Sequence, residues 1–154
     1  MTGAVPYLWF DNEALEAATF YVSLFPDSRI TNVSRYLADA QRPEGSVLTV
    51  DFELFGRPFA ALNGGPQFPH TEAVSFQVNC DTQDEIDRLW SALVSNGGSE
   101  SQCGWCKDRW GVNWQVTATA LGELLQHPDP AVSGHAFRSM MHMRKIVIAD
   151  LTPH

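Results

Sequence analysis

Little of this 154-residue chain is cationic: ten Lys and Arg stand against eighteen Asp and Glu, a net charge of −8 with His neutral. Binding to nucleic acid depends on neutralising phosphates with Lys and Arg, so no nucleic-acid partner is expected. An anionic membrane surface is disfavoured on the same ground. Cysteine is scarce as well. Cys80, Cys103 and Cys106 are too few for a disulfide scaffold, and a reducing cytoplasm is the simplest location. No apolar run approaches the roughly 18 residues of a membrane-spanning helix. The opening MTGAVPYLWF has neither the basic start nor the long apolar stretch of a secretion signal. Also missing are Gly-x-Ser-x-Gly, His-Glu-x-x-His and a P-loop, so nothing supports a nucleophilic triad, a zinc protease or a nucleotide cradle.

What is present favours a packed core. Hydrophobic residues make up 44% and charged residues 18%, which excludes a disordered chain. Five Trp, nine Phe and three Tyr are generous for the length and suit a core from which an apolar pocket opens. The length corresponds to a single domain.

The pattern along the chain predicts strand, helix and strands, twice. Pro6-Tyr-Leu-Trp-Phe10 reads as a strand that ends at Asp11-Asn12, where Asn12 is a candidate cap. A helix is predicted over 13–25 with Ala14, Ala17, Ala18, Tyr21, Leu24 and Phe25 as its apolar stripe, stopped by Pro26-Asp27. Next come an irregular strand over 28–37 and a loop over 38–45. The clearest strand is 46–55, where Leu48, Val50, Phe52 and Leu54 alternate with Val47, Thr49, Asp51 and Glu53. A turn at 56–58, a strand over 59–63 and the turn Gly64-Gly65-Pro66 close the first half.

The second half opens with a strand over 73–80. Thr82 and Glu85 then form a capping box for a helix reaching about Ser95, with Ile86, Leu89, Trp90, Leu93 and Val94 inward. Asn96-Gly97-Gly98 stops it. Strands are predicted at 102–107 and 112–117, then a short helix near 121–126, a helix near 131–143 and a last short element near 146–151. The repeats therefore span about 5–66 and 73–118, with a helical C-terminal tail after them. Setting Val5 on Ala73 places Leu8 on Phe76, Phe10 on Val78 and helix on helix.

Helices on one side of a sheet bury its apolar alternate residues, here Leu8, Phe10, Val74, Phe76 and Val78. The opposite face then carries Tyr7, Trp9, Thr49, Asp51, Glu53, Ser75, Gln77, Asn113, Gln115 and Thr117. Polar and aromatic groups mixed on one face are what a ligand pocket requires. A simply solvated face is the alternative, but Tyr7 and Trp9 are poor choices for bare solvent.

Several runs resemble one family: Pro6-Tyr-Leu-Trp-Phe-Asp11, Phe20-Tyr21, Leu24-Phe25-Pro-Asp-Ser28, Leu62-Asn-Gly-Gly-Pro66, Cys103-Gly-Trp105 with Lys107-Asp108, Trp114-Gln115, and Ala120-Leu-Gly-Glu-Leu124. On these the chain is similar to the PhnB-like group, whose domain is often labelled 3-demethylubiquinone-9 3-methyltransferase. That group belongs to the vicinal oxygen chelate superfamily, with glyoxalase I and the bleomycin-resistance proteins. The resemblance implies an α+β fold of tandem βαβββ modules whose curved mixed sheet surrounds a cleft, commonly as a homodimer. It implies that Cys103 and Trp105 line that cleft. It also brings a divalent-metal pattern, with His or Glu at the start of each module's first strand and Glu on its last. Here the strand-start positions are Val5 and Ala73, and the last-strand positions are Gln115 and, in the first half, a residue near Ala61. Val and Ala cannot ligate and Gln is a weak neutral ligand. No metal and no cofactor are therefore expected, although Asp51, Glu53, Glu72 or His70 could hold an ion elsewhere. A methyl-donor site of the common kind needs a Gly-rich turn after the first strand, and Asp11-Asn12-Glu13 contains no glycine.

Two functions remain open. One is a protein that binds a small polar or aromatic metabolite in the cleft, with Tyr7, Trp9, Asn63, Ser75, Gln77, Cys103, Trp105 and Gln115 as the candidate binding residues. The other is an enzyme of the same superfamily, with lyase, isomerase or transferase-type chemistry, for which Asp51, Glu53 and Cys103 are the candidate catalytic groups. Cys103-Gly104-Trp105-Cys106 is a CxxC, but a strand rather than a helix comes after it, so the usual means of lowering the first thiol's pKa is missing. His70 and Glu72 are a possible base and orienter. His135 and His142, with Met140, Met141 and Met143, read as helix packing more than as a copper or haem site.

Overall fold

A computed structural model describes residues 3–38, 40 and 42–152. Of the loop expected over 38–45, Asp39 and Gln41 lie outside the described residues, as do the first two residues of the opening segment. The chain divides into two compact units, one ending at Pro69 and the other starting at His70. Each unit holds one of the two repeats.

In the first unit, β1 (Tyr7–Phe10), α1 (Ala14–Leu24), β2 (Arg29–Arg35), β3 (Val47–Leu54) and β4 (Arg57–Asn63) succeed one another in that order. The strands form one sheet in the order β1-β4-β3-β2, with β1 and β4 parallel and the other neighbours antiparallel. The predicted stripe of α1 is buried at Ala14, Ala17, Ala18, Tyr21 and Leu24. Its alanines let the helix lie close to β3, where Val50, Phe52 and Leu54 are buried as the alternation requires. Tyr21 and Phe52 meet with ring centroids 6.4 Å apart, and Phe52 stacks on Phe59 at 5.6 Å.

Two local expectations are corrected here. Asn12 does not cap α1: its Oδ1 accepts from Arg42 Nη1, at 2.5 Å. The acceptor for the Ala14 N–H is Asn63 Oδ1, 2.9 Å away on β4. The turn placed at 56–58 is Phe55-Gly56, both with positive φ, and β4 already begins at Arg57. Pro58 is tolerated because alternate N–H groups of a strand point the same way. Ala60 donates to Pro6 across β1, so the missing N–H of Pro58 falls beyond the end of that neighbour.

The second unit repeats the order: β5 (Phe76–Cys80), α2 (Gln83–Val94), β6 (Ser99–Glu100), β7 (Trp105–Lys107) and β8 (Asn113–Ala118). Its sheet runs β5-β8-β7-β6, with β5 and β8 parallel. The capping box forms: Thr82 Oγ1 accepts from the Glu85 N–H at 3.3 Å, and Glu85 Oε2 accepts from the Thr82 and Asp81 N–H groups. Ile86, Leu89, Trp90 and Leu93 are buried beneath α2. Then come α3 (Thr119–Leu125), α4 (Pro130–His142) and a 3₁₀ turn at Ile148–Leu151. The architecture is α+β, with two four-stranded mixed sheets built from one repeated topology. Among the described residues no helix is long and apolar enough to cross a membrane.

Two predicted strands of this unit are shorter than expected. The segment 73–75 is a turn, and Val74 is 67% exposed. The first residue of β5 to find a partner is Phe76, opposite Trp114, so there is no ladder for the earlier residues to join. The strand placed at 102–107 is interrupted by a tight turn from Gln102 to Trp105, closed by the Trp105 N–H on Gln102 O. Cys103 (φ 57°) and Gly104 (φ 82°) are both left-handed, the geometry of a two-residue hairpin turn of type I′. Gly104 fits such a position and Cys103 does not, which is why the pattern did not reveal it.

Candidate functional site

In β8, Trp114, Val116 and Ala118 are buried while Gln115 and Thr117 are half-buried on the other face. Register carries this polar face across the sheet. Gln115 stands opposite Gln77 on β5 and Trp105 on β7, and Thr117 stands opposite Asn79. These side chains form the floor of a hollow of about 490 Å³. Its walls are Cys103 from the tight turn, Leu121 and Leu125 from α3, and Met140 from α4.

The floor is organised by hydrogen bonds between side chains. Gln115 Nε2 donates to Ser75 Oγ at 2.9 Å, and Gln77 Nε2 donates to Asn79 Oδ1 at 2.7 Å. Each amide therefore has a fixed partner and retains hydrogen-bonding capacity for a ligand. The Cys103 and Gly104 N–H groups donate to the carbonyls of Met143 and Arg144, at 2.8 and 2.7 Å, which ties the turn to the segment after α4. Cys103 Sγ lies 3.7 Å from Met141 Sδ. Ser75, Gln77, Cys103, Trp105 and Gln115 are thus brought together by the fold. Asn79, Thr117, Leu121, Leu125 and Met140 were not among the candidates. Alternation along the strands could have supplied the first two. Nothing in the sequence indicated that α3 and α4 turn back over this face.

The CxxC is not a pair of thiols on one strand, as it read in the sequence. Cys103 sits in the turn at the hollow, whereas Cys106 is buried on β7 opposite Trp114. Burial, reinforced by the charge of Asp108, pushes the Cys106 thiol up to about 12. Burial likewise raises Cys80 to about 11. All three cysteines are free. Lys107-Asp108, part of the resemblance, has a structural reason. Asp108 is buried, its Oδ1 accepts from the Trp110 and Val112 N–H groups at 3.0 Å each, and its Oδ2 accepts from the Trp114 indole at 2.9 Å. Lys107 pairs with Glu72, whose carboxyl is held below its ordinary range chiefly by that hydrogen bond. His135 Nε2 lies 3.3 Å from Ser139 Oγ, within one turn of α4.

The other candidates belong to the first unit. Tyr7 is 60% exposed. The Trp9 indole donates to Gly65 O at 2.8 Å and meets Phe68 edge-on at 4.9 Å. Gly64 lies directly beneath that indole, leaving no room for a Cβ. Asn63 is buried and structural: besides capping α1, its Nδ2 donates to Val47 O at 3.1 Å. Asp51 Oδ2 accepts from Asn32 at 3.2 Å, and Glu53 pairs with Arg29 at 2.8 Å. A second hollow, of about 480 Å³, lies beside Gly64-Gly65-Pro66 with Tyr36 and Arg42. Arg42 is already engaged by Asp11 and Asn12.

The residues do not fit the divalent-metal pattern. Val5 and Ala73 precede their strands, and register sets Ala60, not Ala61, opposite Tyr7, with both alanines buried. Gln115 offers a neutral amide bonded to Ser75. Among the described residues no three His, Cys, Asp or Glu side chains converge. These positions therefore offer no ionisable ligand for a divalent ion.

Comparison with known proteins agrees with this architecture. The family model described as 3-demethylubiquinone-9 3-methyltransferase matches residues 2–117. A PhnB protein from Bacillus cereus, carrying the same methyltransferase description, is 32% identical over 77% of this chain and 100% of its own, with a TM-score of 0.70. A protein from Pseudomonas aeruginosa is 23% identical over 77% of this chain and 98% of its own, with a TM-score of 0.61. The fosfomycin resistance protein FosX of Listeria monocytogenes, solved with Mn(II) and sulfate, has the same fold. It is 13% identical over 82% of this chain and 97% of its own, with a TM-score of 0.54. A search of curated proteins finds no significant match.

Proposed function

Because this chain belongs to the family described as 3-demethylubiquinone-9 3-methyltransferase, PhnB-like proteins of the vicinal oxygen chelate superfamily, we propose that it binds a small polar or aromatic metabolite, without the superfamily's usual metal. The observation that carries this reading is the row Gln77–Gln115–Trp105, which floors a hollow walled by Cys103 and the tail helices. An indole beside paired amides suits a planar ligand with hydrogen-bonding edges. A homodimer, a cytoplasmic location and the absence of nucleic-acid or membrane partners go with this reading. They rest on the family resemblance for the homodimer, on the three scarce cysteines for the location and on the acidic net charge of −8 for the partners.

An enzyme of the same superfamily is the second reading, favoured by one observation. Cys103 holds a left-handed backbone at the edge of the hollow, and backbone strain of this kind concentrates at functional sites. Asp51 and Glu53 lend it less support, since both already have polar partners in the first unit's sheet. The methyltransferase name receives none from the residues, since the β1–α1 junction is glycine-free.

A thermal-shift screen with aromatic and dicarbonyl metabolites tests the binding reading, because a ligand that prefers the folded state raises its melting temperature. The expected result is a saturable shift that Gln115→Ala and Trp105→Ala abolish. A shift untouched by both substitutions places the site elsewhere. A stoichiometric divalent ion that survives dialysis refutes the metal-free part.

A further inference from the structure

We infer that the hollow of the second unit selects uncharged ligands, of the planar amide or heteroaromatic class, and excludes carboxylates and other anions. The inference rests on the reading of this hollow as a binding site, to which it adds the chemical class of the ligand.

The observation is the charge inventory of the lining. Among the described residues that bound the hollow, none is Asp, Glu, Lys, Arg or His. The polar groups are amides, hydroxyls and one thiol, and the remainder is apolar. The charges tied to the lining residues offer an anion nothing. Thr119, on the rim, donates its hydroxyl to Asp81 at 2.7 Å, so one carboxylate stands directly behind the wall. Lys107 shares the face of Trp105, one pleat away, but it is paired with Glu72. Gln115 and Thr117 are half-buried although Gln77 and Asn79 are exposed, so a charged ligand seated here sheds part of its water without meeting a counter-charge, which costs free energy. The chain's net charge of −8 adds to the discrimination against anions.

The hydrogen-bonding inventory points the same way. With one N–H of Gln115 on Ser75 and one N–H of Gln77 on Asn79, the remaining capacity consists of amide oxygens and second amide hydrogens in adjacent positions. That mixture of donors and acceptors matches a neutral amide edge. A carboxylate only accepts, and so leaves the glutamine oxygens facing its own. Trp105, Leu121 and Leu125 supply the surface for a ring.

The test uses Cys103 as a reporter of occupancy. It lines the hollow, whereas Cys80 and Cys106 are buried. Its alkylation by iodoacetamide, read out by peptide mass spectrometry, is measured with benzamide, benzoate or benzamidine as competitor. These three planar probes of nearly one shape are neutral, anionic and cationic at about pH 7.5. The expected result is protection by benzamide at a concentration at least about tenfold below that needed of either charged probe, a preference worth about 1.4 kcal/mol. Gln115→Glu, which sets a carboxylate in the floor, should shift the preference to benzamidine. If that variant does not fold, the native comparison decides alone. Protection by benzoate or benzamidine within about tenfold of benzamide overturns the charge selectivity while leaving the hollow as a site. No protection by any probe overturns the site itself, and the inference with it.

Discussion

Replacing Asp108 by alanine should remove more stability than any substitution on the hollow. The carboxylate lies in the β7–β8 hairpin, 2% exposed, and accepts from the Trp110 and Val112 N–H groups and the Trp114 indole. Two of the donors, the Val112 N–H and the Trp114 indole N–H, belong to residues that are themselves 2% exposed. Water cannot replace the lost acceptor for these without opening the core. The Trp110 N–H is half-buried and can turn to solvent. A buried donor deprived of its acceptor costs about 1–3 kcal/mol, so two such donors give a loss of ~4 kcal/mol. For a chain of this length that lowers the melting temperature by about 8–16 °C. Asp108→Asn separates hydrogen bonding from shape. It keeps one oxygen for the two backbone donors but sets an NH₂ group against the indole, so about half the loss is expected. Urea and thermal melts monitored by near-UV circular dichroism report both variants, since Trp114 is packed against Phe76 with centroids 5.5 Å apart. A loss below about 1 kcal/mol for Asp108→Ala, or equal losses for the two variants, refutes this account of the hairpin.

Three further outcomes are expected. Asn63→Ala removes both the cap of α1 and the bond to Val47 O, and should destabilise by about 2–3 kcal/mol in urea titration. A value near zero would show that α1 needs no acceptor from β4. The raised thiols make stability fall at alkaline pH: Cys80 and Cys106 stay neutral in the fold up to about 11 and about 12, while the unfolded thiols ionise from 9.0. The contribution is fully present below pH 9.0 and is lost as pH climbs through the folded values. It declines by up to about 1.4 kcal/mol per thiol per pH unit, and urea midpoints at stepped pH, compared with those of Cys106→Ala, measure it. Gly64→Ala drives a methyl into the Trp9 indole and should cost about 1–3 kcal/mol, but almost nothing in a Trp9→Ala background, where a double-mutant cycle reads the coupling.

Much of the architecture was legible because two signals agreed wherever it counted. Period-2 alternation marked β3 and β8, and cap or stop residues bracketed the helices. The Thr82–Glu85 box and the Asn96-Gly97 stop are local features, complete within a few residues, and both stand where the sequence put them. The cap of α1 is different in kind. Its acceptor, Asn63, comes from a strand 49 residues away, and no local pattern reports a tertiary partner. The Cys103 turn was hidden for another reason: a thiol at positive φ runs against local preference and is held by bonds to the Met143 and Arg144 carbonyls. In the candidate site, strand parity supplied Gln77 and Gln115. The wall from α3 and α4 depends on how the tail packs, about which a helical periodicity is silent.

The duplication is one of backbone and not of chemistry. Counting back three pairs from the last pair of each parallel ladder gives Gln77 opposite Gln115 in the second unit and Tyr7 opposite Ala60 in the first. One pair from the end the contrast recurs, with Asn79 opposite Thr117 against Trp9 opposite Leu62. These ends align with an offset of 70 residues along the first strand, since Phe10 and Cys80 close β1 and β5. The offset is two more than the 68 obtained by setting Val5 on Ala73, and an even slip keeps every side chain on its face. The chain leaves the two ladders differently as well: Gly64-Gly65 lets it pass under the Trp9 indole, whereas Thr119 starts α3 at once and brings Leu121 and Leu125 to the rim. Along its parallel ladder one repeat thus sets phenol, indole and alkyl groups, with Asp51 beside Ala60 and Glu53 beside Pro58 on the next strand, and the other sets amides and a hydroxyl with a helical wall. In the amide face of the second unit, neutral donors and acceptors beside the Trp105 indole are what the proposed binding of an uncharged planar ligand uses.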